Sequence, residues 1–100
     1  ELGGGVDLIN VDVAQTAKRI TVQDFGADDL IDVATVQSFT LDTATFTSVA
    51  NMRGSVASDK YAFFYDTGTG HTHVIFDDNG AELEFILESY SGFSAADLVL

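Results

Sequence analysis

Gly3, Gly5 and Asp7 stand in the run Leu2-Gly3-Gly4-Gly5-Val6-Asp7-Leu8-Ile9. Glycine carbonyls beside an aspartate carboxylate are the hard oxygen donors that calcium prefers. This half-site supplies about three of the roughly 6–8 oxygens calcium takes, so a neighbouring segment must bring the others. A glycine-rich linker ahead of a first strand is the competing reading. Asp24, Asp28, Asp29 and Asp32 offer a second cation position, or a solvated acidic turn. His71 and His73 stand two apart and share one face of a strand, a spacing that can bring two imidazoles to one metal. Paired surface histidines are the plainer reading. Glu82, Glu84 and Glu88 invite comparison with glycosidase acid–base pairs, but Glu82 and Glu84 also fit a solvated strand face opposite Leu83 and Phe85. Tyr61, Phe63 and Tyr65 lie on one side of a strand, where they stack on sugar rings or form a core or interface face. No G-x-S-x-G elbow, H-E-x-x-H helix or phosphate-binding glycine loop occurs, and the chain has no cysteine. A non-catalytic domain is expected.

Composition narrows the partners. Sixteen acids against 4 bases give a net charge of −12, a field that repels nucleic acid and anionic lipid and gathers cations. Crowded carboxylates repel one another, so a divalent ion that pairs them adds to folding free energy. Hydrophobic residues make up 46% of the 100 residues, enough apolar surface for one small folded domain rather than a disordered chain. Without cysteine there is neither a disulfide framework nor a zinc–thiolate site. No apolar run is long enough to span a bilayer, and no basic-then-apolar leader opens the sequence. Membrane insertion is not expected.

These residues need elements to hold them. Ile9, Val11 and Val13 alternate with polar residues in a first strand reaching to about Ala14. Residues 18–25 repeat the pattern, with Ile20 and Val22 on one face and Arg19, Thr21 and Gln23 on the other. An acidic turn at Gly26-Ala27-Asp28-Asp29 leads to the strand Leu30-Ile31-Asp32-Val33. Between Phe39 and Gly54 the spacing of Phe46, Val49, Ala50 and Arg53 predicts a helix capped by Asp42 or Thr43 and ended by Gly54. Thr43, Thr45 and Thr47 count against it, because β-branched side chains lose rotamer freedom in a helix. Three β-rich runs follow, over residues 61–65, 71–76 and 82–87. Asn79-Gly80 supplies the positive φ of a tight turn, so the second and third runs pair antiparallel in a meander. Ser94 with Asp97 makes a capping box before Leu98-Val99-Leu100.

In this order the segments resemble the carboxyl-terminal end of RTX proteins, the calcium-dependent bacterial exoproteins exported by the type I pathway, including serralysin-type proteases. Gly3, Gly5, Asp7 and Ile9 fill places in the repeat motif Gly-Gly-x-Gly-x-Asp-x-apolar-x, while Leu2 replaces its first glycine. Residues 20–33 are similar to a post-repeat "I-x-D-F" strand, acidic turn and "I-D-L" strand, with Val22 and Val33 substituted. Residues 92–100 are similar to a terminal "G-L-S-A-A-D-F-x-x" tail. The resemblance implies a mainly β chain: the end of a parallel β-roll at residues 1–14, an antiparallel meander cap with one short helix at 15–90, and an export tail at 91–100. It also implies Ca2+ as cofactor, with Gly3, Gly5, Asp7, Asp24 and Asp28 as donor candidates. The implied partners are upstream domains of a secreted or cell-surface bacterial parent and the type I secretion machinery. Asp97, Leu98, Val99 and Leu100 would be the segment that machinery reads, and their deletion is expected to block export without unfolding the domain. The alternative is a small β-sandwich module that binds carbohydrate or a surface partner through Tyr61, Phe63 and Tyr65.

Overall fold

The structure is a computed structural model, and it describes residues 8–10, 18–26, 28–34 and 36–100. The chain is mainly β and forms two sheets. The smaller contains β1 (Leu8–Asn10), β3 (Leu30–Asp32) and β8 (Leu98–Val99) in the order β1-β3-β8, all parallel. The larger contains β2 (Lys18–Val22), β4 (Thr40–Leu41), β5 (Lys60–Asp66), β6 (His71–Asp78) and β7 (Ala81–Leu87) in the order β2-β7-β6-β5-β4. β5, β6 and β7 are the antiparallel meander, while β2 joins β7 and β4 joins β5 in parallel. Gly3, Gly5, Asp7, Val11, Val13 and most of the expected roll turn at 1–14 lie outside the described residues.

Strand alternation decides what each sheet buries. Ile20, Val22, Leu83, Phe85, Leu87, Val74, Phe76 and Tyr61 turn inward from the large sheet and meet Ile31, Val33 and Leu98 near the small one. Phe76 is the hub of this core, with ring centroids 5.2 Å from Phe39, 5.8 Å from Tyr61 and 6.0 Å from Phe85. Edge-on geometry between such rings favours them beyond their area burial. The alternation expected for residues 18–25 holds, since Val22 is buried while Arg19 and Thr21 point the other way and are exposed. The hairpin also forms as expected: Asn79 and Gly80 have φ of 52° and 96°, and the Gly80 N–H donates to Asp77 Oδ1.

The helix differs from expectation. Only Val49–Met52 is helical (α1), and its cap is Ser48, whose Oγ accepts from the Asn51 N–H at 2.9 Å. Asp42 cannot serve as the cap because its carboxylate is committed elsewhere, accepting from the N–H groups of Ala44 at 2.9 Å and Ala57 at 2.8 Å. Those two bonds hold the Asp42 carboxyl below the ordinary carboxylate range. The threonine-rich stretch before Ser48 stays non-helical, as its β-branching favours. The left-handed turn at Gly54, φ 78°, follows the helix as expected.

α1 packs a second cluster onto the outer face of the large sheet. Met52 and Val56 cover Ala62 and Ile75, with Phe46 and Phe64 beside them. The large sheet is therefore apolar on both faces at its centre, and that accounts for the unbroken burial of β6 from Thr72 to Asp77.

Candidate functional site

Beside this second cluster lies a buried carboxylate. Register places Glu84 of β7 opposite Ile75 on one side and Arg19 on the other, and it is only 3% exposed. The expectation of a solvated Glu82–Glu84 face is corrected here. Both acids do share the outer face, but α1 lies over it and brings an arginine with it. Arg53 follows the helix, and the next N–H, from Gly54, donates to Glu82 Oε2 at 2.8 Å. This anchor sets the arginine over Glu84, where Nε meets Oε1 at 2.7 Å and Nη2 meets Oε2 at 2.9 Å. Arg19 Nε reaches Oε1 at 3.3 Å, and His73 Nδ1 lies 2.7 Å from Oε2. Burial pushes the Glu84 carboxyl up. The Arg53 and His73 hydrogen bonds and the two guanidinium charges outweigh it, so the group titrates below the ordinary value. Glu82 goes the other way, raised by burial and by its acidic neighbours Asp77 and Glu84.

Bidentate pairing and the histidine contact occupy both Glu84 oxygens. His73 and His71 share a strand face as expected, but their partners differ: His71 Nδ1 accepts from the Ser89 N–H at 3.1 Å. They are thus drawn to separate groups.

The acidic turn is also divided. Asp29 is buried, and its Oδ2 accepts from the Gly26 N–H at 2.8 Å. Asp24 and Asp28 are exposed, and Asp32 accepts from the Ala34 N–H. Among the described residues, no group of three or more His, Asp or Glu side chains is placed to hold a metal ion. Asp24 and Asp28 belong to no such group, and the other candidate donors, Gly3, Gly5 and Asp7, lie outside the described residues.

The aromatic residues of β5 do not form one flat platform. Tyr61 is 3% exposed and belongs to the core, Phe63 meets Phe93 at a tilt of 58° with centroids 4.9 Å apart, and Tyr65 is 42% exposed.

The terminal segment is built into the fold. Ser94 and Asp97 form the expected capping box around the 3-10 turn Ala95–Asp97. Asp97 Oδ2 accepts from the Ser94 N–H and the Tyr90 hydroxyl, each at 3.1 Å. β8 pairs with β3, Val33 N–H donates to the Val99 carbonyl at 3.0 Å, and Leu98 is 8% exposed. Removing residues 97–100 would take away a cap, a strand and a core side chain, which weighs against the expectation that their deletion leaves the domain folded.

Each sheet has an edge strand early in the chain. β1 bounds the small sheet and β2, the next strand in the chain, bounds the large one. Among the described residues, no strand pairs with the outer side of either. Nor does any described helix have the length and apolar character to cross a membrane. Comparison with protein-family models and with curated proteins finds no match to this chain.

Proposed function

We propose that this chain is a non-catalytic cap for a stack of parallel β coils, at the carboxyl-terminal end of a larger exported bacterial protein. One observation carries the reading. β1 and β3 flank β2 in sequence and pair in parallel, Leu30 beside Leu8, and among the described residues β1 and β2 both keep an outer edge unpaired. A preceding coil of the same form would add a parallel strand to each edge and bury its own apolar face against Ile9 and Ile20. At the opposite edge of the small sheet stands β8, two residues long and too short to template further growth. The motif resemblance to RTX proteins supports the same reading and adds type I export and secreted or cell-surface location to it. Calcium belongs to the reading only through Gly3, Gly5 and Asp7 together with a preceding repeat.

The test fuses tandem Gly-Gly-x-Gly-x-Asp-x-apolar-x repeats ahead of residue 1 and follows β structure by circular dichroism during a calcium titration. With the cap attached, the repeats should fold at lower calcium than the same repeats alone. Identical titrations would overturn the capping assignment. For export, a reporter carrying this chain at its carboxyl end should leave cells that express a type I exporter, and retention inside would remove that part of the proposal.

A further inference from the structure

The far side of the large sheet holds another open edge, independent of the capping surface. β4 covers β5 only at Lys60 and Tyr61, and the Asp42 N–H then donates to the Tyr61 carbonyl at 2.8 Å. That bond shows that Tyr61 directs its backbone groups away from β6. By strand alternation Phe63 and Tyr65 do the same, and among the described residues neither gains a backbone partner on that side. The uncovered run Ala62-Phe63-Phe64-Tyr65 carries no charge, no proline and no glycine, and Phe63 is 36% exposed. Natural edge strands are usually blunted by such residues, because an unpaired apolar edge recruits another strand.

Charge decides which strand. A second copy would bring another net charge of −12 to the contact. Arg19 and Arg53 are paired with Glu84, which leaves Lys60, at the start of β5, as the base beside this edge. Asp42 stands where β4 ends and Asp66 closes β5; each carboxylate accepts from backbone N–H groups yet keeps its charge, so negative charge brackets the open run. We propose that the 62–66 edge of β5 is a docking site for an extended, basic polypeptide segment. The segment adds a strand by main-chain hydrogen bonds to Phe63 and Tyr65 and sets alternate apolar side chains against their rings. Lysine or arginine at its ends faces Asp42 and Asp66.

The experiment selects binders to the intact chain from a random nonapeptide display library and maps the enriched peptides by amide chemical shifts. Enrichment of Lys or Arg around alternating apolar positions, with shifts confined to residues 61–66 and β6, is expected. Tyr65→Pro removes an outward N–H and leaves the β5–β6 ladder intact, so it should weaken the selected peptides at least about tenfold. If that variant does not fold, Tyr65→Lys places a repelling cation on the same edge and should weaken them to the same degree. Three results would overturn the proposal: no enrichment, enriched peptides whose shifts map to β1 and β2, or a self-associated dimer whose contact is β5.

Discussion

Arg53 and Glu84 meet in a parallel, two-bonded clasp, Nε to Oε1 at 2.7 Å and Nη2 to Oε2 at 2.9 Å, although 31 residues separate them in the chain. The acid is nearly fully buried, while the arginine side chain is 34% exposed and that of Arg19 is 55% exposed. These two arginines share one carboxylate but should differ in weight. Arg53→Met strands a buried charge with weaker partners and should cost about 2–4 kcal/mol, within the range for breaking buried pairs and reduced by the arginine's partial exposure. Arg19→Met removes a longer, solvent-screened contact and should cost less than about 1 kcal/mol. Urea unfolding of both variants measures the difference, and equal losses would refute this ranking.

Acid should reveal the same clasp. The folded Glu84 carboxyl titrates below its ordinary value of 4.5, so its contribution is present above that value and is lost as pH falls through the depressed one. In Arg53→Met burial is less opposed, the folded value rises, and this contribution weakens. The stability gap between native chain and variant should therefore narrow as the medium is taken below 4.5. A gap that stays constant with pH would remove electrostatics as its cause.

Tyr90 provides the alkaline counterpart. Burial, followed by its hydrogen bond to Asp97, pushes its phenol from 10.0 up to about 12. A raised folded value means that its contribution is complete below 10.0 and is lost as pH climbs toward about 12. Phenolate absorbance should show two late-titrating tyrosines, Tyr61, which burial also raises, and Tyr90, and the Tyr90 component should disappear in Tyr90→Phe. In Asp97→Asn it should move only part of the way back, because burial, the larger cause, remains.

The last residues should separate by burial rather than by position. Leu98→Ala empties a core site beside β3 and should cost about 2–4 kcal/mol, whereas Leu100→Ala, at an exposed position, should change stability by less than about 0.5 kcal/mol. Thermal melts of the two variants test this. The contrast also serves the proposed export test, in which lost secretion through unfolding marks Leu98→Ala and lost secretion with an unchanged melting curve in Leu100→Ala marks a recognition defect.

Local patterns were sufficient to determine the meander, the Asn79-Gly80 turn, the inward face of β2 and the Ser94–Asp97 capping box. Each depends on residues within a few positions of one another: alternation along a strand, two residues with positive φ, or a side chain reaching back one turn. Composition likewise determined the acidic field and the absence of thiol chemistry. The long-range pairings were decided only in three dimensions. Nothing near Lys18 in the chain shows that it will run parallel to β7, and nothing near Leu98 shows that it will seat beside Ile31. Glu84 is the sharpest case. Its alternation with Leu83 and Phe85 correctly placed it on the outer face, but whether that face meets water depends on α1, a four-residue helix whose cap, Ser48, was not the one local spacing favoured. Once that helix docks through Met52 and Gly54, Arg53 arrives over the carboxylate, and a residue that reads as solvated becomes a buried charge in the large sheet. Periodicity assigns a side chain to a face, while the energy of that face is set by what the rest of the chain lays against it.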